Sequence, residues 1–373
     1  METVRSQRSV LMRIAFYAPL KSPNHPTPSG DRLMARLLVR ALQLAGHSVE
    51  IASEFRNFAP TPEAAAALED ERQAELLRLR RAWHNEPKPH LWFCYHPYYK
   101  SPDPFGPILA AEFGIPYVTA ETSYSRKRDA TGWAPSQALV AAAIRQAAIN
   151  IALTERDEAG VGQAVPEARL ALIKPFIDTA SVRNIDLRPD SKRLVTVAMM
   201  RAGDKMASYT MLAAALRMIE EKTWTLGIIG DGPMRTEVEA LFSDFPPGRI
   251  DWLGERSAGD VACLLCTSGL YVWPGCGEAY GLAYLEAQAA GLPAVAQRTA
   301  GVPAVIQDGV TGILTADGNV GAFAAAIDRL LHDPARRQEM GEAARRFVLE
   351  ERSLEIAARE LDGILKIYAG VEP

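Results

Sequence analysis

Residues 270–297 read LYVWPGCGEAYGLAYLEAQAAGLPAVAQ. A short run of aromatic and branched residues leads into a glycine-rich segment, a leucine- and alanine-rich run follows, and a second short apolar run closes the stretch. This order predicts a strand, a loop, a helix and another strand, the unit from which parallel sheets are built. Glu278 and Glu286 are the only charged residues of the stretch. We expect Glu278 at the carboxyl end of a strand and Glu286 one turn inside the next helix.

The same alternation of strands and helices runs through the chain. Strands are predicted in the first half at 13–18, 47–53, 89–97, 115–121 and 149–154, and after the polar segment 178–193 the alternation restarts. The pattern predicts an α/β protein of two doubly wound, Rossmann-like domains with a ligand cleft between them. We assign the first domain to residues 1–180 and the second to 191–350, with 178–193 as a linker. The last helix, about 353–373, is expected to pack back on the first domain.

The charge is mildly acidic and unevenly distributed. The 373 residues carry a net charge of −4, which argues against a nucleic-acid binder that works through bulk charge. Residues 1–190 hold 23 basic against 21 acidic residues, and residues 191–373 hold 18 against 24. The first half is therefore better suited to an anionic partner, although solvated surface charges explain this difference equally well.

Targeting and cysteine patterns indicate a cytoplasmic protein. The apolar run 12–20 is too short for a secretory signal, and no run approaches 18 uninterrupted apolar residues, so no membrane-spanning helix is predicted. Cys263 and Cys266 form a C-x-x-C inside an apolar helical run. Without a second pair or a histidine cluster, we interpret both as small core residues rather than as a zinc or redox site.

Two cations and a helix start are predicted at the carboxyl ends of strands in the second half. Arg201 and Lys205 follow a strand, in a loop where they suit a phosphate or diphosphate. By themselves they are better explained as solvated loop charges. The helix that begins after Gly281 has free N–H groups that attract an anionic oxygen.

The two glutamates suit a polyhydroxyl ligand. A carboxylate can accept hydrogen bonds from both hydroxyls of a vicinal diol, so Glu286 and Glu278 fit two diols on either side of that anion. Gly230-Asp231-Gly232 follows another strand, where a structural turn is at least as good an interpretation as a nucleotide loop.

At this point the residues resemble a known family. GEAYGLAYLEAQAAGLPAVA (277–296) resembles the E-x7-E signature of the retaining glycosyltransferases of family 4 (group 1), which have the GT-B fold. VAMMRAGDK (197–205) is similar to the family's phosphate loop and IIGDGPMRTEVEAL (228–241) to its nucleotide-domain turn and helix. In the first half, PTPSGDRLMARLLVRAL (26–42) and ARLALIKPFID (168–178) match more loosely. The resemblance covers nearly the whole chain.

The resemblance implies a role for each matching position. By this resemblance, Glu286 would bind the ribose and Glu278 the donor sugar. Arg201 and Lys205 would bind the diphosphate together with the backbone amides of Gly281 and Leu282. Gly30 would allow the first-domain loop to approach the donor closely.

The resemblance also implies transfer of a sugar from a nucleotide diphosphate, UDP or GDP, to an unidentified acceptor with retention of configuration. No cofactor or metal is expected. The chain has no D-x-D pair that could bind a metal ion, which agrees with this expectation. Without a metal ion, fixed cations and a helix start must stabilise the negative charge of the leaving group.

Some positions depart from the family pattern. Glu121 stands where the family often has a histidine close to the donor sugar, and Ala304 stands where glutamate is common. The Arg201–Lys205 spacing is one residue shorter than usual. His96 offers a histidine earlier in the chain, either in the same cleft or as an ordinary core or surface residue. We include Glu121 and His96 among the candidate catalytic residues, with Glu278, Arg201 and Lys205.

Several alternatives stay open. A sugar-nucleotide epimerase on the same fold needs Glu286 and Arg201 but no acceptor, and a non-catalytic sugar-nucleotide or membrane-binding module is favoured if Glu121 has removed turnover. The Arg-rich helix 63–86 either packs one stripe on the sheet, which we favour, or makes weak contact with the inner face of a membrane. Arg126, Lys127 and Arg128 either meet donor phosphate, bind an anionic acceptor such as a phospholipid or a uronic acid, or form a solvated basic loop.

Overall fold

The structure is a computed structural model that describes residues 11–370 and divides into two compact units. The first unit comprises the chain up to Lys174 together with the residues from Leu354 onward, and the second comprises Pro175–Ser353. The first boundary lies earlier than the sequence pattern predicted. It does so because the polar segment 178–193 is bonded to the second unit, where Arg188 and Asp190 donate backbone N–H groups to Cys266 and Thr267.

The first unit is built on one parallel sheet. Its strands are β1 (Arg13–Tyr17), β2 (Ser48–Ser53), β3 (Leu91–Tyr95), β4 (Tyr117–Ala120), β5 (Ile149–Ala152) and β6 (Leu170–Leu172). Their order in the sheet is β2-β1-β3-β4-β5-β6. Its helices before the boundary are α1 (Gly30–Leu44), α2 (Pro62–Ala67), α3 (Glu69–Asn85), α4 (Gly106–Phe113), α5 (Ala134–Gln146) and α6 (Glu155–Ala164). The chain reverses its direction of progress across the sheet between β1 and β3.

The second unit repeats the architecture with a different strand order. Its strands are β7 (Arg193–Val197), β8 (Thr225–Ile229), β9 (Ile250–Gly254), β10 (Leu270–Val272), β11 (Ala294–Gln297) and β12 (Gly312–Thr315). All pair in parallel, in the order β12-β11-β10-β7-β8-β9. Its helices are α7 (Ala180–Arg183), α8 (Asp204–Met218), α9 (Arg235–Leu241), α10 (Ala258–Cys266), α11 (Leu282–Ala289), α12 (Val320–His332) and α13 (Pro334–Glu351). This is the strand order of dinucleotide-binding domains, with its switch point between β7 and β10.

The predicted class, two Rossmann-like domains with parallel sheets, is confirmed. Each strand of the stretch 270–297 is buried because helices cover both faces of a parallel sheet. The last helix, α14 (Leu354–Tyr368), packs against α1 within the first unit. His47, just after α1, is buried there with its Nε2 atom 3.5 Å from Oδ1 of Asp362.

Two local predictions need correction. The helix expected over 63–86 is interrupted at Leu68 and forms α2 and α3, and Leu76 and Leu79 of α3 are buried in the core of the first unit. Cys266 is a buried core residue as predicted, but Cys263, one turn earlier in α10, is exposed, so it is not a core residue. Neither cysteine forms a disulfide.

Candidate active site

The loops that follow β7 and β10 meet at the switch point of the second unit. The two strands are neighbours, with Tyr271 paired to Val195, so their carboxyl ends lie side by side. The backbone N–H of Cys276 donates to Oγ of Ser208 on α8 over 2.9 Å. A Cβ atom added to Gly277 would lie 2.5 Å from the carboxyl carbon of Asp204, so the loop is packed directly on the first turn of α8. The fold thus brings the E-x7-E stretch against the predicted phosphate-binding residues.

The central contact of this site is an ion pair between Lys205 and Glu278. The Nζ atom of Lys205 donates to Oε1 of Glu278, and the two side chains are only 16% and 17% exposed. Trp273, buried at the end of β10, donates its indole N–H to the same carboxylate oxygen over 3.3 Å. The Lys205 ammonium lies 5.4 Å from the centre of the Trp273 ring. The carboxylate and the ammonium are therefore both held in place on one buried aromatic side chain.

Lys205 lies on a helix rather than in the loop where the sequence analysis placed it. It is the second residue of α8, whose N-cap Gly203 has a φ of 82°. Arg201 remains in the loop and is exposed, and it forms no ion pair or hydrogen bond with any residue that the structure describes. One cation is thus fixed in the site, while the other is free to reach a ligand.

The start of α11 leaves backbone donors at the same place. Gly281 is its N-cap with a φ of 81°, and no side chain caps the helix. A Cβ atom on Gly281 would lie 2.7 Å from the ring of Tyr284, so only glycine fits there. Leu282, the first residue of the helix, is buried. The uncapped N–H groups of this first turn can donate hydrogen bonds to an anionic oxygen.

Glu286 lies one turn further along α11. Its side chain is half-buried and forms no hydrogen bond or ion pair within residues 11–370. Burial raises the pKa of this carboxyl above its usual value. Burial also raises the pKa of Tyr271 on β10, and the nearby carboxylates of Glu278 and Glu286 raise it further, so both glutamates lie near this phenol. A half-buried carboxylate without a protein partner is suited to hydrogen-bond donors from a ligand.

The packing of the turn after β8 requires glycine at positions 230 and 232. Cβ atoms on Gly230 and Gly232 would lie 2.0 and 2.2 Å from the carbonyl oxygens of Ala198 and Met200. In addition, the N–H of Met200 donates to the carbonyl of Asp231 over 2.9 Å. The turn after β8 therefore supports the loop that carries Arg201.

In the first unit, the structure brings His96 and Glu121 together at the carboxyl edge of the sheet. Both residues follow strands with a positive φ, of 59° for His96 and 55° for Glu121. Oε2 of Glu121 accepts a hydrogen bond from the hydroxyl of Tyr95 over 2.9 Å. Nδ1 of His96 lies 3.2 Å from Oδ1 of Asp31, in the first turn of α1. The switch point between β1 and β3 thus carries an acid–histidine cluster.

The charge state of this cluster follows from its carboxylates. Burial by itself favours a neutral His96, but the charges of Glu121, Asp31 and Asp157 outweigh it and raise the pKa of His96 to about 9. Burial acts against the ionised form of Asp31, yet the hydrogen bond and charge of His96 lower the pKa of this carboxyl. His96 is therefore an imidazolium at neutral pH.

Packing does not require glycine at position 30, and three residues of the two clusters were not identified from the sequence. Gly30 is the first residue of α1, and a Cβ atom there would meet no atom within 4 Å, so packing within the chain does not require glycine. Asp31, Trp273 and Tyr271 did not emerge as site residues from the sequence. Trp273 and Tyr271 lie within a predicted strand, and their apolar neighbours indicate only burial.

Two Rossmann-like domains, one with cations, a helix start and two glutamates at its switch point, define a protein of the GT-B class. Residues 184–347 match the family model described as "Glycosyl transferases group 1". This segment covers the six strands and the site of the second unit, and its helices from α8 to the greater part of α13.

Relatives with established names are sugar transferases. The chain is 28% identical over 237 residues to the alpha-D-kanosaminyltransferase of Streptomyces kanamyceticus, covering 60% of this chain and 61% of the relative. It is 29% identical over 203 residues to the D-inositol 3-phosphate glycosyltransferase of Kribbella flavida, covering 48% and 44%. Over 123 residues it is 35% identical to the sulfoquinovosyl transferase of Arabidopsis thaliana, covering 32% and 24%. The chain thus spans less than two thirds of the length of these relatives.

Solved structures share the whole fold at low identity. The sucrose-phosphate synthase of Thermosynechococcus elongatus superposes with a TM-score of 0.73 at 18% identity, over 95% of this chain and 98% of that chain. HepE of Anabaena, solved with UDP and glucose, superposes with a TM-score of 0.71 at 15% identity, over 95% and 100%. No helix within residues 11–370 is long and apolar enough to cross a membrane.

Proposed function

We propose that this protein is a retaining glycosyltransferase of family 4, which moves a sugar from a nucleotide-diphosphate sugar to an acceptor. The observation that carries the proposal is the position of Lys205, Glu278 and the uncapped start of α11 at the switch point between β7 and β10. Ligands of open α/β sheets bind at that point. The names of the relatives, all of which are sugar transferases, and the nucleotide bound in the Anabaena structure support a nucleotide-sugar donor.

The donor would use the groups already gathered there. Arg201 and Lys205 would bind the diphosphate with the amides of Gly281 and Leu282, and Glu286 would accept hydrogen bonds from the ribose. A diphosphate oxygen would replace Glu278 as the partner of Lys205, which would leave the Glu278 carboxylate to the hydroxyls of the donor sugar. Trp273 would hold that carboxylate through its indole N–H.

Bond cleavage would depend on stabilisation of the leaving nucleotide. As the bond between the anomeric carbon and the diphosphate breaks, negative charge develops on the phosphate oxygens. Lys205 and the first turn of α11 are held in place before the reaction and Arg201 is free to join them, so together they can stabilise that charge. We propose that this replaces a metal ion, and that the acceptor hydroxyl attacks from the side of the leaving phosphate, which retains the configuration.

The first unit would act on the acceptor side. Glu121 stands where the family often has a histidine, and here its negative charge stabilises the imidazolium of His96. We propose that this cluster orients the acceptor. A cytoplasmic location, at the inner face of a membrane or away from it, remains a prediction.

A panel of nucleotide sugars tests the proposal directly. Purified protein is mixed with UDP- and GDP-sugars and followed by thermal unfolding, because a donor at about 100 times its dissociation constant adds ~2.7 kcal/mol to the free energy of unfolding. Slow donor hydrolysis that persists in a chelator supports a metal-independent transferase, and NMR of the released sugar reports its anomeric configuration. A new sugar nucleotide would instead indicate an epimerase, binding without turnover a binding module, and no binding would contradict all three.

A further inference from the structure

Four cations lie on the loops that follow β3 and β4 of the first unit, and two of them lie over one aromatic ring. Arg126–Arg128 form a single turn of 3-10 helix after β4, and Lys100 lies in the loop after β3. The guanidinium carbon of Arg128 is 5.0 Å from the centre of the Tyr99 ring, and the Lys100 ammonium is 6.0 Å from it. We call Tyr99, Lys100, Lys127 and Arg128 the basic cluster.

The charges of the basic cluster are not neutralised by the protein. Lys100, Lys127 and Arg128 form no ion pair with any acidic residue in the described part of the chain. The nearest acidic neighbour in sequence, Asp129, instead accepts hydrogen bonds from the Tyr124 hydroxyl and the Gln137 amide, over 2.9 and 3.2 Å. Adjacent like charges repel, so an anion bound among them would be stabilised.

The arginines of α3 show the contrast. Arg72, Arg78 and Arg80 each form an ion pair with a carboxylate, of Glu69, Glu75 and Glu112 respectively. Three of the four arginines of that helix are thus neutralised within the fold, whereas Arg81 is exposed and forms no ion pair in the described part of the chain. The Arg-rich turn at 126–128 has no such balance, and this separates it from an ordinary charged surface.

Arg128 is also oriented for recognition of an oxyanion. Its guanidinium lies over the face of Tyr99, and Trp133 packs edge-on against Tyr99 at 5.1 Å. Stacking uses the face of the guanidinium and leaves the N–H groups at its edge available, in the fork that matches two phosphate oxygens. The backbone is fixed as well, because the Arg128 carbonyl accepts hydrogen bonds from both the amide and the hydroxyl of Thr131.

The basic cluster lies close to the acid–histidine cluster. The ring centres of His96 and Tyr98 are 5.4 Å apart, and those of Tyr98 and Tyr99 are also 5.4 Å apart. Two ring contacts therefore connect His96 to the aromatic side chain that supports Arg128. An anionic group held by the basic cluster would place the rest of its molecule at the carboxyl edge of the sheet, beside His96 and Glu121.

We propose that the basic cluster binds a phosphate group of the acceptor. That the bound molecule is an acceptor rests on the proposed function, whereas the anion-binding site itself does not. A phosphate fits better than a single carboxylate because it offers more charge and three acceptor oxygens to several cations. The phosphate belongs either to a small phosphorylated molecule or to a lipid headgroup.

The experiment measures binding of inorganic phosphate by the change in tryptophan fluorescence, since Trp133 contacts Tyr99. Arg201 and Lys205 also suit phosphate, so the titration is made in R201Q/K205M protein as well as in wild type. Replacing Lys100, Lys127 and Arg128 together by glutamine is expected to weaken phosphate binding about 100-fold in both backgrounds. Arg128→Lys keeps the charge but loses the planar fork, and is expected to weaken binding about 10-fold.

A matched control removes three cations elsewhere in the first unit: Arg80→Gln, Lys88→Gln and Lys366→Gln, whose side chains contact Glu112, the Phe113 carbonyl and Asp362. This variant is expected to bind phosphate within twofold of wild type. If both triple variants weaken phosphate binding equally, the effect comes from the overall charge of the protein, and the proposal is overturned. Equal weakening of UDP binding in the basic-cluster variant would assign the cluster to the donor and also overturn it.

Vesicles distinguish the two sources of phosphate. Sedimentation with vesicles of phosphatidylglycerol and phosphatidylcholine, compared with phosphatidylcholine only, supports a lipid headgroup if the basic-cluster variant loses binding and excess inorganic phosphate competes with the vesicles. Binding of inorganic phosphate without vesicle binding supports a soluble phosphorylated acceptor. Binding of neither overturns the inference. The proposed function fails separately, through an absence of nucleotide-sugar binding by wild-type protein.

Discussion

Lys205 and Glu278, which are 73 positions apart in the sequence, form an ion pair on the indole of Trp273. One residue belongs to the first turn of α8 and the other to the loop before α11. They meet because β7 and β10 are adjacent at the switch point of the sheet. The pair joins the predicted diphosphate-binding residue to the predicted sugar-binding residue, so the two functions can be separated by substitution.

Glu278→Ala is expected to weaken binding of the whole donor about 10- to 100-fold and to leave binding of free nucleotide diphosphate unchanged or tighter. The reason is that the sugar loses a carboxylate acceptor, while Lys205 loses a competitor for the diphosphate. Lys205→Met is expected to weaken both ligands about equally. Isothermal calorimetry with UDP or GDP and the matching sugar nucleotide measures the difference. If Glu278→Ala weakens nucleotide and donor to the same extent, the carboxylate does not bind the sugar.

Glu286→Gln is expected to stabilise the ligand-free protein slightly while weakening nucleotide binding. Burial raises the pKa of this carboxyl, so the folded state disfavours its charge, and this penalty applies above the folded pKa and disappears as the pH falls toward the ordinary value of 4.5. Removing the charge should raise the thermal midpoint at neutral pH by about 1–3 °C.

Glu278→Gln is the matched control for that substitution, because it leaves Lys205 without its ion pair and should lower the midpoint instead. Differential scanning calorimetry at pH 7 and pH 4.5 measures both. Equal midpoints for Glu286→Gln and wild type at neutral pH, with normal nucleotide binding, would show that Glu286 is an ordinary surface residue.

His96→Gln is expected to change how stability depends on pH. The pKa of His96 is raised to about 9 from its usual 6.5. Its contribution is therefore complete below pH 6.5 and is lost as the pH rises to about 9, with an upper limit of roughly 3 kcal/mol. Urea unfolding from pH 6 to pH 9 should show a decline in wild type that is smaller in His96→Gln.

An exposed histidine, His84, provides the control, because its replacement by glutamine should preserve the wild-type decline. Asp31→Asn should reduce the decline in the same way as His96→Gln, since it removes one of the carboxylates that hold the imidazolium. A decline that is identical in wild type and His96→Gln would mean that another group is responsible.

Gly281→Ala is expected to destabilise the protein by about 2–4 kcal/mol and to reduce donor binding. The residue has a φ of 81°, and a Cβ atom would lie 2.7 Å from the Tyr284 ring, so conformational strain and a steric clash coincide. Gly248→Ala separates the two effects, because Gly248 has a φ of 77° but no atom within 4 Å of the added Cβ. It should cost only about 1 kcal/mol. Equal costs in chemical denaturation would show that Tyr284 moves aside and that the clash is unimportant.

The sequence by itself was sufficient for the class of fold and for one side of the site. The alternation of short apolar runs and helical segments predicts two parallel-sheet domains. The strands of a parallel sheet are covered by helices on both faces, so they are continuous apolar runs. Glu278, Gly281 and Glu286 lie within a span of nine residues, so a turn and the helix that follows it determine their mutual arrangement locally. The cations at 201 and 205 are also local to one strand end.

Only the tertiary structure decided which of these groups meet and which charges are neutralised. The order of strands in a sheet brings Lys205 to Glu278 and Asp31 to His96, and nothing in the local pattern specifies that order. The basic run in α3 and the one at 126–128 look alike in sequence. They differ because carboxylates from α3 and α4 reach the first, while Asp129 bonds to neutral donors beside the second. Charge compensation is a property of contacts across the fold, and composition does not specify it.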